Sequence, residues 1–311
     1  MTRISHRLLL SLLGMAFLSP LHAEEPRLRP YILGNAPTGS LEQAVAGVRT
    51  ALKAQGFEEA GSYSPYAGAT VIVVTSPELK AAAAAAPRNG GFGAGERISV
   101  TQAKTGLQVA YMNPAYMGAA YGLGNLNAVS EKLKTALGAV KEFGSDKGLT
   151  AAELAPGTYH YMVGMPYFQH VDVHATYPNH DAALAAVEKG LAEGRGGTKK
   201  VYRIDLPGKD VSVFGVAITT GDGIDKGDKD TDKEIMDIVD WQDLRHTPYL
   251  PYEMLVKGDE VISLRGRYRI ALHFPDTKMS GAHGFTKIMS SPGGIKSAFN
   301  AVAGGGNEPK R

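Results

Sequence analysis

Three polar residues with metal-binding chemistry alternate with valines in one short segment, His170-Val171-Asp172-Val173-His174. Alternate residues of an extended strand face the same side, so His170, Asp172 and His174 would share one face. Two imidazoles and a carboxylate are the ligands of many zinc, iron and copper sites. At this spacing they lie roughly 7 Å apart on a flat strand, so a twist, a bulge or a fourth ligand would have to bring them together. The segment predicts a zinc or copper site, with an ordinary half-buried strand as the alternative.

A second group of soft and borderline ligands, His273, Met279 and His283, lies nearer the C-terminus. Methionine and histidine without cysteine suit copper in an oxidising compartment, although methionines at such spacing also fill gaps in a core. The acidic segment 222–232 alternates aspartates as a calcium loop does, but Lys233 stands where an EF-hand loop needs glycine. We interpret this segment as a solvated insertion.

The N-terminus has the three-part layout of a secretory signal. Arg3 and Arg7 flank the start of an apolar run at 8–18, and small residues precede a cleavage point after Ala23. The run is shorter than the roughly 20 apolar residues that span a bilayer, and the chain has no cysteine that could carry a lipid. We therefore expect residues 1–23 to be removed, no membrane anchor after cleavage, and a periplasmic or secreted protein.

The charge balance argues against nucleic acid as a partner. The chain has 33 Lys and Arg, and loss of Arg3 and Arg7 with the signal leaves 31, equal to the 31 Asp and Glu. A neutral chain lacks the basic patch that nucleic-acid binding usually requires. Because no disulfide can form, the hydrophobic core must hold the fold in an oxidising compartment, and a chain of this length does so most simply as two domains.

Two stretches with the same pattern indicate an internal repeat. Ser40 and Gln43 predict a capping box before a helix that ends at Gly56, and a helix capped by Asp181 ends at Gly194 in the same way. Strand-like segments follow each helix, and a closing amphipathic helix ends each half. The strand-like segments are 70–74, 97–100 and 107–111 in the first half, and 201–204, 211–218, 252–256, 261–264 and 268–273 in the second. The runs 109–114 and 270–275 look like equivalent strands that enter a proline turn.

We therefore predict an α+β fold of two related domains, each an antiparallel sheet packed against amphipathic helices. The domains would cover residues 24–143 and 158–303. A linker at 144–157 would contain a short helix begun by Thr150 and Glu153, and residues 304–311 would form a flexible tail.

The order of these segments resembles the DUF 302 family, a domain of unknown function. The resemblance rests on the helix 41–55, the strand-proline-helix segment 71–80, the strand pair ending at Asn113-Pro114, and the leucine-proline strand and hairpin at 249–261. In the second half the acidic insertion and residues 233–239 replace the strand-proline-helix segment. The resemblance implies compact α+β domains with antiparallel sheets. It implies no activity, because the family has no established one.

We predict a binding or accessory module, and two alternatives remain open. A binding or accessory module would hold a small ligand or a metal ion, either between the two domains or at the histidine strand. A metal-dependent enzyme would use His170, Asp172 and His174 as ligands and an open coordination position to activate water. A non-catalytic interaction protein would pair its exposed sheet edges with another subunit, including a second copy of itself.

Overall fold

The computed structural model describes residues 25–220 and 230–305, so the predicted signal peptide, residues 221–229 of the acidic insertion and residues 306–311 of the tail lie outside the described residues. The described chain forms two antiparallel sheets, of six and five strands, packed with nine α-helices. This confirms the predicted α+β class with antiparallel sheets. None of the described helices has the length and apolar character needed to cross a membrane.

The six-stranded sheet is formed by the first half of the chain. Its elements are β1 (Tyr31–Leu33), α1 (Leu41–Ala54), β2 (Glu58–Tyr63), β3 (Ala69–Thr75), α2 (Pro77–Ala85), β4 (Glu96–Ala103), β5 (Gly106–Met112), α3 (Pro114–Tyr121), α4 (Asn127–Leu137), β6 (Lys141–Phe143) and the short α5 (Ala151–Leu154). The strands lie in the order β2-β3-β4-β5-β1-β6. Helix α1 begins with the predicted capping box, in which Ser40 and Gln43 satisfy each other's backbone N–H groups.

The five-stranded sheet is formed by the second half. Its elements are β7 (Val171–Thr176), α6 (His180–Ala192), β8 (Thr198–Asp205), β9 (Val211–Ile218), α7 (Asp232–Val239), β10 (Tyr252–Lys257), β11 (Glu260–Leu264), α8 (Gly266–His273) and α9 (Ser291–Val302). The strands lie in the order β7-β11-β10-β9-β8. The N-cap of α6 is Asn179, whose side chain accepts from Ala182, and not the predicted Asp181.

The two sheets repeat one order of elements. Strands β2-β3-β4-β5-β1 correspond to β8-β9-β10-β11-β7, and helices α1 to α4 occupy the places in chain order of α6 to α9. Both outer strands are bulged at the equivalent position, since the pairing of β2 with β3 skips Ala60 and the pairing of β8 with β9 skips Val201. Strand β6 is an addition to the first sheet.

The segment 268–273, predicted as a strand, belongs to helix α8. Its aromatic and β-branched residues suggested a strand, but the segment is helical and all six of its residues are buried. A helix is usually recognised in sequence by polar residues on its exposed face and apolar residues on its buried face. In α8 the polar residues Arg269 and His273 are themselves buried, so this pattern is absent. The equivalent of β5 is therefore β11, and the match between 109–114 and 270–275 is wrong.

The predicted linker 144–157 packs against the rest of the chain. It contains α5, which begins with the predicted capping box of Thr150 and Glu153. Leu154 is fully buried in the core, and Leu149 forms a backbone bridge with Leu28. The segment is held by the fold along much of its length.

The two halves share one core. The largest group of buried apolar side chains includes Val71 of β3 and Tyr111 of β5 together with Leu264 of β11. The outer strands β2 and β8 also come close, because a Cβ at Gly61 would lie 2.1 Å from the carbonyl oxygen of Val201. Only glycine allows this approach, so the two predicted domains meet along an extensive packed interface.

A buried cluster of charges joins the halves. Arg97 of β4 and Glu253 of β10 occupy equivalent positions in the two sheets. Arg97 donates from Nη1 to Glu253 Oε1, and from Nε to the carbonyl oxygen of Pro248 at 2.8 Å. Arg269 of α8 donates from Nε to the other carboxylate oxygen of Glu253 at 2.8 Å. All three charged side chains are at most 3% exposed, so each charge depends on the others for compensation.

His273 completes this cluster as a neutral group. Arg97 Nη2 lies 3.0 Å from His273 Nε2, and a guanidinium can only donate, so Nε2 accepts. The proton is then on Nδ1, which donates to the carbonyl oxygen of Arg269 at 2.8 Å. Burial and the neighbouring guanidinium groups of Arg269 and Arg97 lower the pKa of His273 well below its ordinary value. His273 therefore extends the network without adding positive charge.

Tyrosine hydroxyls satisfy the buried C-terminal end of α8. The last carbonyl groups of a helix have no partner within the helix, and here three of them accept from side chains. The pairs are Tyr159 with Ala271 O at 2.9 Å, Tyr116 with Leu272 O at 2.7 Å and Tyr31 with His273 O at 3.2 Å. Because Tyr31 and Tyr116 belong to the first half, the end of α8 is fixed against the opposite half of the molecule.

Glu96, the neighbour of Arg97 on β4, is buried where its charge is disfavoured. Burial raises the pKa of Glu96 to about 8, although the charge of Arg97 opposes the increase. Its Oε2 atom has no hydrogen-bond partner among the described residues. The carboxyl group is therefore mostly protonated at neutral pH.

We expect Glu253→Gln to lower the free energy of unfolding by about 3–5 kcal/mol, because two buried guanidinium groups lose their counter-charge. Urea denaturation followed by circular dichroism measures this. The matched control is Glu59→Gln, which removes a partly exposed pair with Arg49 and should cost less than about 1 kcal/mol. Equal losses of unfolding free energy in the two variants would show that the buried cluster contributes no more to stability than a partly exposed ion pair.

We expect the free energy of unfolding of Glu96→Gln to increase relative to that of the wild type as the pH rises from 5 to 8. A pKa raised from the ordinary value of 4.5 to about 8 means that the folded state binds more protons than the unfolded chain in this interval. The wild type therefore loses stability as the pH rises, and a neutral amide does not titrate. Urea denaturation of both proteins at four pH values gives the difference, with Glu42→Gln on the exposed side of α1 as control. If the difference in unfolding free energy between the variant and the wild type does not change with pH, the raised pKa of Glu96 is contradicted.

Candidate functional site

The face of β7 that carries the predicted metal ligands packs against α9. His174 is buried, with Nδ1 2.7 Å from Asn300 Oδ1 and Nε2 2.8 Å from Ser263 Oγ. The amide oxygen of Asn300 can only accept, so Nδ1 donates and Nε2 accepts from the Ser263 hydroxyl. The lone pair that would bind a metal is therefore engaged within the protein.

The structure does not bring His170, Asp172 and His174 together as one ligand set. The pairing of β7 with β11 skips His174 at a bulge, and Asp172 Oδ1 has two cations nearby, Arg265 Nε at 3.8 Å and Lys296 Nζ at 3.7 Å. Within the described ranges, no group of three or more His, Cys, Asp or Glu side chains is arranged to hold a metal ion. Packing on α9 and two competing cations are the physical reasons.

The second predicted ligand group is also dispersed. His273 lies in the buried charge cluster, with both ring nitrogens hydrogen-bonded. His283 Nδ1 lies 2.9 Å from the carbonyl oxygen of Ile238, and its ring stacks on Trp241 at 4.7 Å. Met279 lies instead in an apolar recess with other methionines.

The described end of the acidic insertion is not solvated as predicted. Asp230 and Asp232 are both buried. Asp232 accepts from the Tyr63 hydroxyl at 2.7 Å and from the backbone N–H of Ile218 at 3.2 Å. Burial raises the pKa of Asp232 to about 7. Asp232 therefore ties the start of α7 to β2 and β9.

His170 and Asp172 lie instead on the wall of a surface cleft of about 860 Å³. Its walls come from the segment before β7 and from the starts of α8 and α9, all in the second half of the chain. The lining residues are 164–167, His170, Asp172, 265–267, 289–290, 292–294 and 296–297. Three segments distant in sequence thus build one concave surface.

Positive charge predominates in this cleft. Three cationic side chains, those of Arg265, Arg267 and Lys296, face one acid, Asp172. Both arginines are exposed, so their guanidinium groups are accessible to a ligand. The cleft therefore has a net charge of +2 when His170 is neutral.

The start of α8 adds to this positive field. Its N-cap residue Arg265 makes no side-chain capping bond, so the first N–H groups of the helix are not satisfied by a cap. In the first half, the equivalent helix α3 is capped by Asn113, which accepts from the N–H of Ala115. Gly266 allows α8 to approach α9, since a Cβ there would lie 3.0 Å from Pro292 Cα.

His170 can present a hydrogen-bond donor to the cleft. The backbone N–H of Tyr167 donates to His170 Nδ1 at 3.3 Å, and the two rings stand edge to face at 5.5 Å. Because Nδ1 accepts, the neutral ring carries its proton on Nε2. The side chain is exposed, so this N–H is available to a bound molecule.

Sequence reasoning found two residues of this cleft and missed its cations. Arg265, Arg267 and Lys296 carry no motif, and their meeting with Asp172 depends on the packing of α8 and α9 against β7. The one local signal was Ser290-Ser291-Pro292, which is typical of a helix start with proline in the first turn.

Comparisons with protein-family models, with curated proteins and with solved structures each give no match. The resemblance to DUF 302 stays a prediction, and the function of the cleft has to be inferred from its own geometry.

We expect His174→Ala to lower the free energy of unfolding by about 1–3 kcal/mol, because buried Ser263 and its neighbour Asn300 lose their hydrogen-bond partner. His170→Ala, at an exposed position just before the same strand, should change it by less than about 0.5 kcal/mol. Urea denaturation of the two variants checks this, and elemental mass spectrometry of the untagged protein tests metal binding separately. Stoichiometric zinc or copper that both variants lose would contradict the structural role given to His174.

Proposed function

We propose that the second half of the chain binds an anionic small molecule in the cleft at the starts of α8 and α9, and that the protein serves as a binding or accessory module. The observation that carries the proposal is the excess of cations in a concave site, with Arg265, Arg267 and Lys296 set against Asp172. Guanidinium groups bind carboxylates and phosphates through paired hydrogen bonds, so such a group is the expected ligand chemistry.

The dimensions and donors of the cleft support this proposal. A volume of about 860 Å³ lies within the roughly 300–1,000 Å³ usual for small-molecule sites. His170 adds an Nε2–H donor beside the cations. Asp172 lies close enough to Arg265 and Lys296 to hold their side chains near the cleft, which reduces the entropy lost when a ligand binds.

The other two functions have less support from the geometry. A metal-dependent enzyme would need His174 as a ligand, and that side chain is bound to Asn300 and Ser263. A ligand between the two halves would need space that buried side chains such as Arg97 and Glu253 occupy. An interaction protein pairing through sheet edges, including a homo-oligomer, stays a hypothesis without a contact that favours it.

We also infer that the protein is exported and that its halves arose by duplication of one α+β domain, with the boundary at 144–157. Export is supported by Arg3, Arg7 and the apolar run that follows them. Duplication is supported by the shared element order and by the equivalent bulges at Ala60 and Val201. Under this proposal the second copy acquired the binding cleft after duplication, while Asn113 kept the first copy's helix start capped.

Removal of one cation from the cleft should weaken anion binding. We expect Arg267→Gln and Lys296→Gln each to weaken the binding of acetate, succinate or inorganic phosphate about tenfold or more, since a charge-assisted hydrogen bond contributes about 1.5–3 kcal/mol. Isothermal titration calorimetry at low ionic strength measures the affinities, and added salt should weaken them in the wild type.

The matched control is Lys209→Gln, which removes the same charge from an exposed turn outside the cleft. It should leave anion affinity within about twofold of the wild type. Absence of binding by every anion of the series, or an equal loss in the control, would overturn the proposed function.

A further inference from the structure

An apolar recess of about 210 Å³ opens beside the cationic cleft. Its lining includes Met165, Met279, Phe285, Ile288 and Met289. Arg267 is the charged residue of this lining. The recess therefore offers hydrocarbon and thioether surface with one guanidinium at its margin.

The recess and the cleft are neighbouring parts of one site. Four residues, Met165, Arg267, Met289 and Pro292, line both of them. Arg267 and the two methionines thus stand at the boundary between a region that favours an anion and a region that favours an apolar group. A molecule held by Arg267 has apolar surface within reach on its other side.

Two methionines of the recess are partly exposed. Met279 is 43% exposed and Met289 is 60% exposed, although both line a concave apolar surface. Methionine side chains are flexible and polarizable, so they can adapt to ligands of varied shape. An alkyl or aryl group of a ligand would find apolar side chains in this recess.

We propose that the ligand is a single-chain anionic amphiphile, a soluble molecule with a carboxylate or phosphate head and a short alkyl or aryl group. The head binds Arg265, Arg267 and Lys296, and the apolar group fills the recess beneath Met279 and Met289. This inference rests on the proposed anion-binding function and names its ligand class. The charge of the adjoining cleft selects an anionic amphiphile over a neutral or cationic one.

A homologous series of carboxylates tests the proposal with one head group. Acetate, butyrate, hexanoate and octanoate are titrated into the untagged protein at concentrations at which all are monomeric. Each methylene that enters the recess should tighten binding by about fourfold, and the gain should stop once the recess is full. Octan-1-ol, with the same chain and no charge, should bind at least tenfold more weakly than octanoate.

Variants in the recess distinguish the contribution of the ligand's alkyl chain to binding from that of its head group. Met279→Gln keeps the size of the side chain but places an amide in the recess, and should weaken octanoate about tenfold and acetate much less. The control is Met162→Gln, which changes a methionine of similar exposure, 47%, outside both linings. This control should leave the affinities for all four carboxylates unchanged. Thermal unfolding of each variant verifies that it is folded.

The outcomes distinguish this inference from the proposed function. Binding of acetate and octanoate with equal affinity would overturn the amphiphile and leave anion binding intact. Octanol that binds as tightly as octanoate would overturn the anionic head of the amphiphile, while the titrations of acetate, succinate and phosphate decide the proposed function separately. Binding to vesicles of anionic lipid without binding of monomeric octanoate would also overturn the proposal, since the ligand would then be a membrane surface.

Discussion

The pairing of Glu253 with Arg97 and Arg269 is the constraint on which the rest of the structure depends. Three charges are removed from water, and their desolvation is offset only if every hydrogen bond between them is made. Arg97 comes from the first sheet and Glu253 from the equivalent place in the second, so the requirement fixes how the halves face each other. Neutral His273 and the carbonyl oxygens of Tyr249 and Pro251 satisfy further guanidinium N–H groups.

Helix α8 links this buried cluster to the proposed site. Beyond its first turn it carries Arg269 and His273 into the cluster, and its last carbonyl groups accept from tyrosines of both halves. Its first turn carries Arg265 and Arg267 to the cleft. Because both arginines are attached to an element that cannot move without breaking the buried cluster, the cations are placed on a rigid support, as a binding site requires.

The two halves show how one arrangement of elements can serve two purposes. Helix α3, which follows β5 in the first half, is capped by Asn113 and surrounded by apolar side chains. The equivalent position in the second half is Arg265, whose guanidinium leaves the helix start uncapped and lies at the cleft. The side chain at this one position thus distinguishes the two halves. Asn113 caps the start of α3, whereas Arg265 leaves the start of α8 open to a ligand.

Much of the fold was predictable from local pattern. The capping boxes at Ser40 and Thr150 and the strands with β-branched runs appear as expected, because neighbouring residues decide them. Helix α8 was not predictable, since residues 268–273 are all buried and therefore lack the alternation of polar and apolar positions that reveals a helix in sequence. Only the tertiary structure decided that His174 is hydrogen-bonded within the protein and that the cleft contains Arg265, Arg267 and Lys296. These residues and their partners come from segments dozens of residues apart, and only the packing of α8 and α9 on β7 brings them together.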